Sequence, residues 1–135
     1  MTLVEVLVAF MISGLGVAGI VSGYVFANTS AEKFAFSMAA NAQASQYLEQ
    51  MRSAQWDVSI YPAIDQLTVS NFPTKVVILE TAGSSAQTNY ATNYVQISTV
   101  STDPPLRRIR VDCVWGFRGP KLYTNTIESF RAPNQ

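Results

Sequence analysis

The chain has no histidine and a single cysteine, Cys113, among its 135 residues. Without histidine, the side chain that titrates near neutral pH and the commonest metal ligand are both missing. Carboxylates are scattered, with no helical pair at metal-binding spacing. No catalytic, metal or cofactor residue is therefore assigned, and an enzyme is not expected. One cysteine excludes a disulfide within the subunit. Charge is scarce as well: Asp, Glu, Lys and Arg make up 13%, about half the share of a typical soluble domain. The formal net charge is zero, so no bulk attraction to nucleic acid or anionic lipid is implied. Proline is absent before Pro62, and no charged side chain stands between Glu5 and Glu32.

What fills that uncharged interval is apolar. Val6–Ala27 is long enough to cross a bilayer core, which takes about 20 apolar residues. An acid at the lip of such a segment is costly in hydrocarbon unless it finds a partner. Glu5 is thus a candidate functional residue; the plainer alternative is a signal anchor with its acid in the headgroup layer. The pattern predicts one helix from near Thr2 to about Ser53, ~75 Å at 1.5 Å per residue. Its first half is apolar all round, as in a membrane span or a bundle core. Its second half carries a stripe, Phe36, Ala40, Gln43, Ala44, Tyr47, Leu48 and Met51, expected to face a globular head. Ala31, Ala35, Ala39 and Ala42 form a second, smooth face. Gly14, Gly16, Gly19 and Gly23 each cost ~1 kcal/mol relative to Ala in a helix interior. They make Ser13–Gly23 the weakest part of the helix, or else allow another apolar helix to approach closely.

Trp56–Pro62 is expected to end the helix, and from Phe72 the texture turns to strand. Thr74–Glu80 is a short β-rich run. Thr81–Asn93, rich in Ser, Thr, Asn and Gly, reads as a loop. Tyr94–Val100 alternates, with Val95 and Ile97 on one face, and Asp103–Pro104–Pro105 is a turn. Leu106–Trp115 alternates most clearly, Ile109, Val111, Cys113 and Trp115 on one face and Arg108, Arg110 and Asp112 on the other. That is a half-buried antiparallel strand, and it makes Cys113 an inert core thiol. Gly116–Pro120 turns the chain into a last strand, Lys121–Arg131. The fold class is α+β: a long N-terminal helix packed by its C-terminal half on an antiparallel sheet of about four strands. Residues 1–30 form the apolar segment and residues 31–135 the head.

The run Met1–Thr2–Leu3–Val4–Glu5–Val6–Leu7–Val8–Ala9–Phe10 resembles the mature N-terminus of type IV pilins and type II secretion pseudopilins. Those begin with an apolar residue, Thr, two aliphatics and Glu. Together with the charge-free run that follows, the resemblance covers about a fifth of the chain, and the layout of helix and sheet agrees with it. It implies that a short basic leader was removed by a prepilin peptidase, and that the amino group of Met1 was methylated. It also implies a register role for Glu5, paired with the Met1 ammonium of a neighbouring subunit. The partners it implies are further copies of the chain, an inner-membrane assembly platform and, before assembly, the membrane itself. The subunit would leave the cytoplasmic membrane for an extracellular filament. Ser13–Gly23 would then be the segment that melts in the polymer.

Other features carry less. Gly14-x-Gly16 does not follow a strand, so a phosphate loop fails on context. Asn28–Thr29–Ser30 is a glycosylation sequon inside a predicted helix, and is discounted. Hydroxyls in Ser84–Thr92 are possible carriers of O-linked sugars. Residues 71–135 hold seven bases against four acids, the excess lying in Arg107, Arg108, Arg110, Arg118, Lys121 and Arg131. A solvated or inter-subunit face explains that excess more simply than nucleic acid does. The expectation is a structural subunit that polymerises through its apolar helix. A minor pilin or pseudopilin is the nearest alternative. A membrane-tethered binding module is the alternative of a different class.

Overall fold

The computed structural model describes residues 2–81 and 88–134. The chain divides into two compact units, Met1–Ala35 and Phe36–Gln135. One helix, α1 (Leu3–Ser53), contributes to both. Its N-terminus is closed by its own sequence. The Thr2 backbone N–H donates to Glu5 Oε2 at 2.8 Å, and Thr2 O accepts from Glu5 N–H at 3.0 Å. This satisfies an amide that a helix start otherwise leaves orphaned. At the other end Ser53 Oγ donates to Gln50 O at 2.8 Å, and Arg131 Nη1 donates to Met51 O at 2.8 Å. Between them Ser13–Gly23 is α-helical in the single chain. The melting expected of it concerns the polymer.

In the first unit every side chain from Thr2 to Asn28 is exposed. The second unit holds the core. From α1 it takes Phe36, Ala40, Ala44, Tyr47, Leu48 and Met51. This is the expected stripe except Gln43, which is half-buried. Ala31, Ala35 and Ala42 are exposed, and Ala39 is half-buried. After Ser53 two short strands, β1 (Trp56–Asp57) and β2 (Ile64–Asp65), pair antiparallel. This small ladder was not expected, since two-residue strands have no period to read. It sends Trp56 into the core, and Leu67 follows it.

Four further strands form an antiparallel sheet in the order β3-β4-β5-β6: Lys75–Thr81, Thr88–Thr102, Pro105–Gly116 and Leu122–Arg131. The expected loop over Thr81–Asn93 is corrected here. Thr88–Asn93 belong to β4, and residues 82–87 lie outside the described residues. The tract is polar but also Thr- and Tyr-containing, and it pairs on both sides: Thr92 with Val76 and Val114, Ala91 with Val77 and Trp115. Two-sided pairing overrides the loop-like composition. In β5 Ile109, Val111, Cys113 and Trp115 are buried, as the alternation requires. The β5–β6 turn passes through Arg118 and Gly119; Gly119 has φ +126°, which a side chain rarely adopts.

Candidate assembly site

Glu5 lies on α1 beside Val6, Ala9, Phe10 and Ser13. These follow from helical spacing: positions 5, 6, 9, 10 and 13 share one face. The face is open, with Phe10 75% exposed. The first basic side chain after Glu5 in sequence is Lys33. The carboxylate is instead engaged by the Thr2 backbone amide. Thr2-x-x-Glu5 is a capping-box pattern, a signal present in the sequence but not read above, where the acid stood out only against its apolar run. The cap gives Glu5 a local structural duty. A single amide does not balance an ionised carboxylate in a water-poor setting; a cation is needed for that. Met1, the expected source of that cation and the expected site of methylation, lies outside the described residues.

Farther along, Phe10, Ser13, Gly14, Val17, Ala18, Val21 and Ser22 form a second open face. A Cβ placed on Gly14, Gly16, Gly19 or Gly23 meets nothing within 4 Å. Contacts among the described residues therefore do not account for these glycines. The apolar window has mean hydropathy 2.2, with none of it buried. By length and composition α1 is able to cross a membrane, a test that signal sequences also pass.

Three basic residues of the head, Arg107, Arg110 and Arg131, are held by partners within it. Arg107 makes two hydrogen bonds of 2.7 Å to Asp65, donates to Leu67 O at 2.8 Å, and lies 4.4 Å from the Trp56 ring centroid. That pairing holds the Asp65 carboxyl below its ordinary range. Arg110 bonds Asp112 and approaches Glu128 at 3.6 Å. Arg131 caps α1 and donates to Asn134. Acids beside Arg107 and Arg110 thus offset part of the charge that sequence alone presents as a basic excess. Burial pushes the Cys113 thiol up to about 11, so at neutral pH it is protonated and unreactive. Among the described residues no three of Cys, Asp and Glu converge as a metal site.

No protein-family model, curated protein or solved structure matches the chain. The likeness to pilins rests on the N-terminal residues together with an architecture compatible with that fold.

Proposed function

We propose that this chain is a type IV pilin-like subunit that polymerises into a filament through α1. One observation carries the reading: a charge-free apolar surface, exposed from Val6 to Asn28, with one acid at its head. Such a surface must be covered by lipid or by protein. In the proposed cycle it sits first in the cytoplasmic membrane and then against other copies in an extracellular filament. Glu5 sets the register, because a subunit docked out of step leaves its carboxylate unpaired in a dry environment. The Met1 ammonium of a neighbour is the partner that the resemblance supplies. The assembly platform, leader removal and methylation belong to the same proposal, as does melting around Gly14, Gly16, Gly19 and Gly23. A minor pilin or pseudopilin would use the same residues in a shorter or rarer polymer.

Glu5→Ala tests the reading. The variant should remain membrane-inserted, since it removes the one charged side chain from the apolar end. Surface filaments should be lost. Filaments at parental abundance would refute the register role.

A further inference from the structure

Four residues stand opposite one another across the inner face of the sheet: Lys75, Asn93, Cys113 and Asn125, in β3, β4, β5 and β6. The two asparagines fare differently. Asn125 Oδ1 accepts from Trp115 Nε1 at 2.7 Å, and its Nδ2 donates to Ser37 Oγ at 3.0 Å and Asn41 Oδ1 at 2.9 Å. Asn93 is 1% exposed, and its Oδ1 has no hydrogen-bond partner among the described residues. A buried acceptor left in that state costs about 1–3 kcal/mol. Asn93 borders a half-open pocket of about 10 Å³ that Gln43, Gln46, Tyr47 and Gln50 of α1 and Lys75 and Val77 of β3 also line. Amide side chains make up most of its α1 wall.

We propose that this cavity is a binding site for one structural water, held by Asn93 Oδ1 and the polar groups around it. The volume matches a single water, which also needs two to four polar partners. An anion would meet the Asn93 acceptor, and a cation would meet the Lys75 ammonium. A neutral group that both donates and accepts fits both. The water links α1 to β3 and β4, as Asn125 links α1 to β5 and β6. This site is independent of polymerisation and serves the head in any assembly.

Water-to-protein NOE and ROE spectra of the full chain in detergent micelles test it. Cross-peaks of opposite sign in the two spectra at the Asn93 side-chain amide are expected, as for a water held far longer than bulk solvent. Their absence, or the equal signs of fast hydration, would overturn the site. Asn93→Leu gives a second arm. If a water satisfies Oδ1, leucine removes a working polar contact, and the unfolding midpoint falls. A midpoint above that of the parent would overturn the proposal, because replacing an unsatisfied acceptor by an apolar group of similar size is stabilising.

Discussion

The two halves of α1 solve different problems with the same backbone. From Thr2 to Asn28 every side chain is exposed, apolar ones included. From Phe36 to Met51 six apolar residues line up on one face and are buried, while Met38 and Ala42 stay exposed. The first half has no polar face to turn toward water, so its amino acids are chosen for an environment outside its own unit. The second half has Asn41, Gln46, Glu49 and Gln50 on its exposed side and Phe36, Tyr47 and Met51 on its buried one. Helicity alone therefore says nothing about where a helix belongs; the distribution of polar residues around it does.

The strongest way to break that comparison is to remove one half. Deletion of residues 1–28 leaves every core residue in place, since the core starts at Phe36. The shortened chain should be soluble and folded, with an intact sheet by circular dichroism, and should form no filaments. Polymers of native width from that variant would place assembly in the sheet and end the pilin reading.

Next come single substitutions in each half. Trp115 is buried, stacks on Tyr123 at 5.0 Å and donates to Asn125. Trp115→Ala should cost about 3–5 kcal/mol of head stability. Leu15→Ala, on the exposed half, should leave it within about 0.5 kcal/mol. Denaturant unfolding in detergent measures both. Equal losses would mean that the head depends on the first half for its folding.

A finer cut separates the two duties of Glu5. Gln at this position still accepts from the Thr2 amide, because Glu and Gln serve equally in a capping box. It has no charge to pair with an ammonium. If register depends on charge, Glu5→Gln should assemble as poorly as Glu5→Ala, reflecting about 3 kcal/mol or more lost from a buried pair. Filament counts restored by Gln would show that the cap, worth ~1 kcal/mol, is what assembly needs.

The ease with which the sequence could be read follows the range of each signal. Strand β5 was legible because Ile109, Val111, Cys113 and Trp115 repeat with the period of a pleated strand. The length of α1 was legible because nothing before Trp56 breaks its pattern. The start of β4 was hidden, since Thr88–Asn93 gain strand character only from their neighbours, Thr88, Asn89 and Tyr90 from β3 alone and Ala91, Thr92 and Asn93 from β3 and β5. The orphan on Asn93 was invisible, because Asn93 and Asn125 look alike until their surroundings are known. Of the candidate site, Glu5 and the exposed apolar face were visible and the cap on Thr2 was missed. The pairing of Arg107 with Asp65 joins residues 42 apart, and no local pattern announces it.

That pairing carries the smallest predicted effect. It fastens the β1–β2 segment to β5 inside the head, so it has no counterpart in the first half of α1. The Asp65 carboxyl is lowered first by its hydrogen bond from Arg107, and the charge of Arg107 adds to this against a partial desolvation. A lowered folded pKa means that the unfolded chain takes up the proton first as pH falls. The stabilisation is thus complete above the ordinary aspartate value of ~3.9 and is lost as pH drops through the lower folded value. Asp65 and Arg107 side chains are 38% and 21% exposed, so solvent screening holds the contribution to about 1 kcal/mol or less. Asp65→Asn should lower the unfolding midpoint slightly at pH 7 and flatten its decline as pH falls below the ordinary aspartate value of ~3.9. Some decline should remain, because Asp57 is also lowered by its hydrogen bonds from Ser59. Acid limbs of equal slope in parent and variant would show that Arg107 holds this segment through Leu67 O and the Trp56 ring alone.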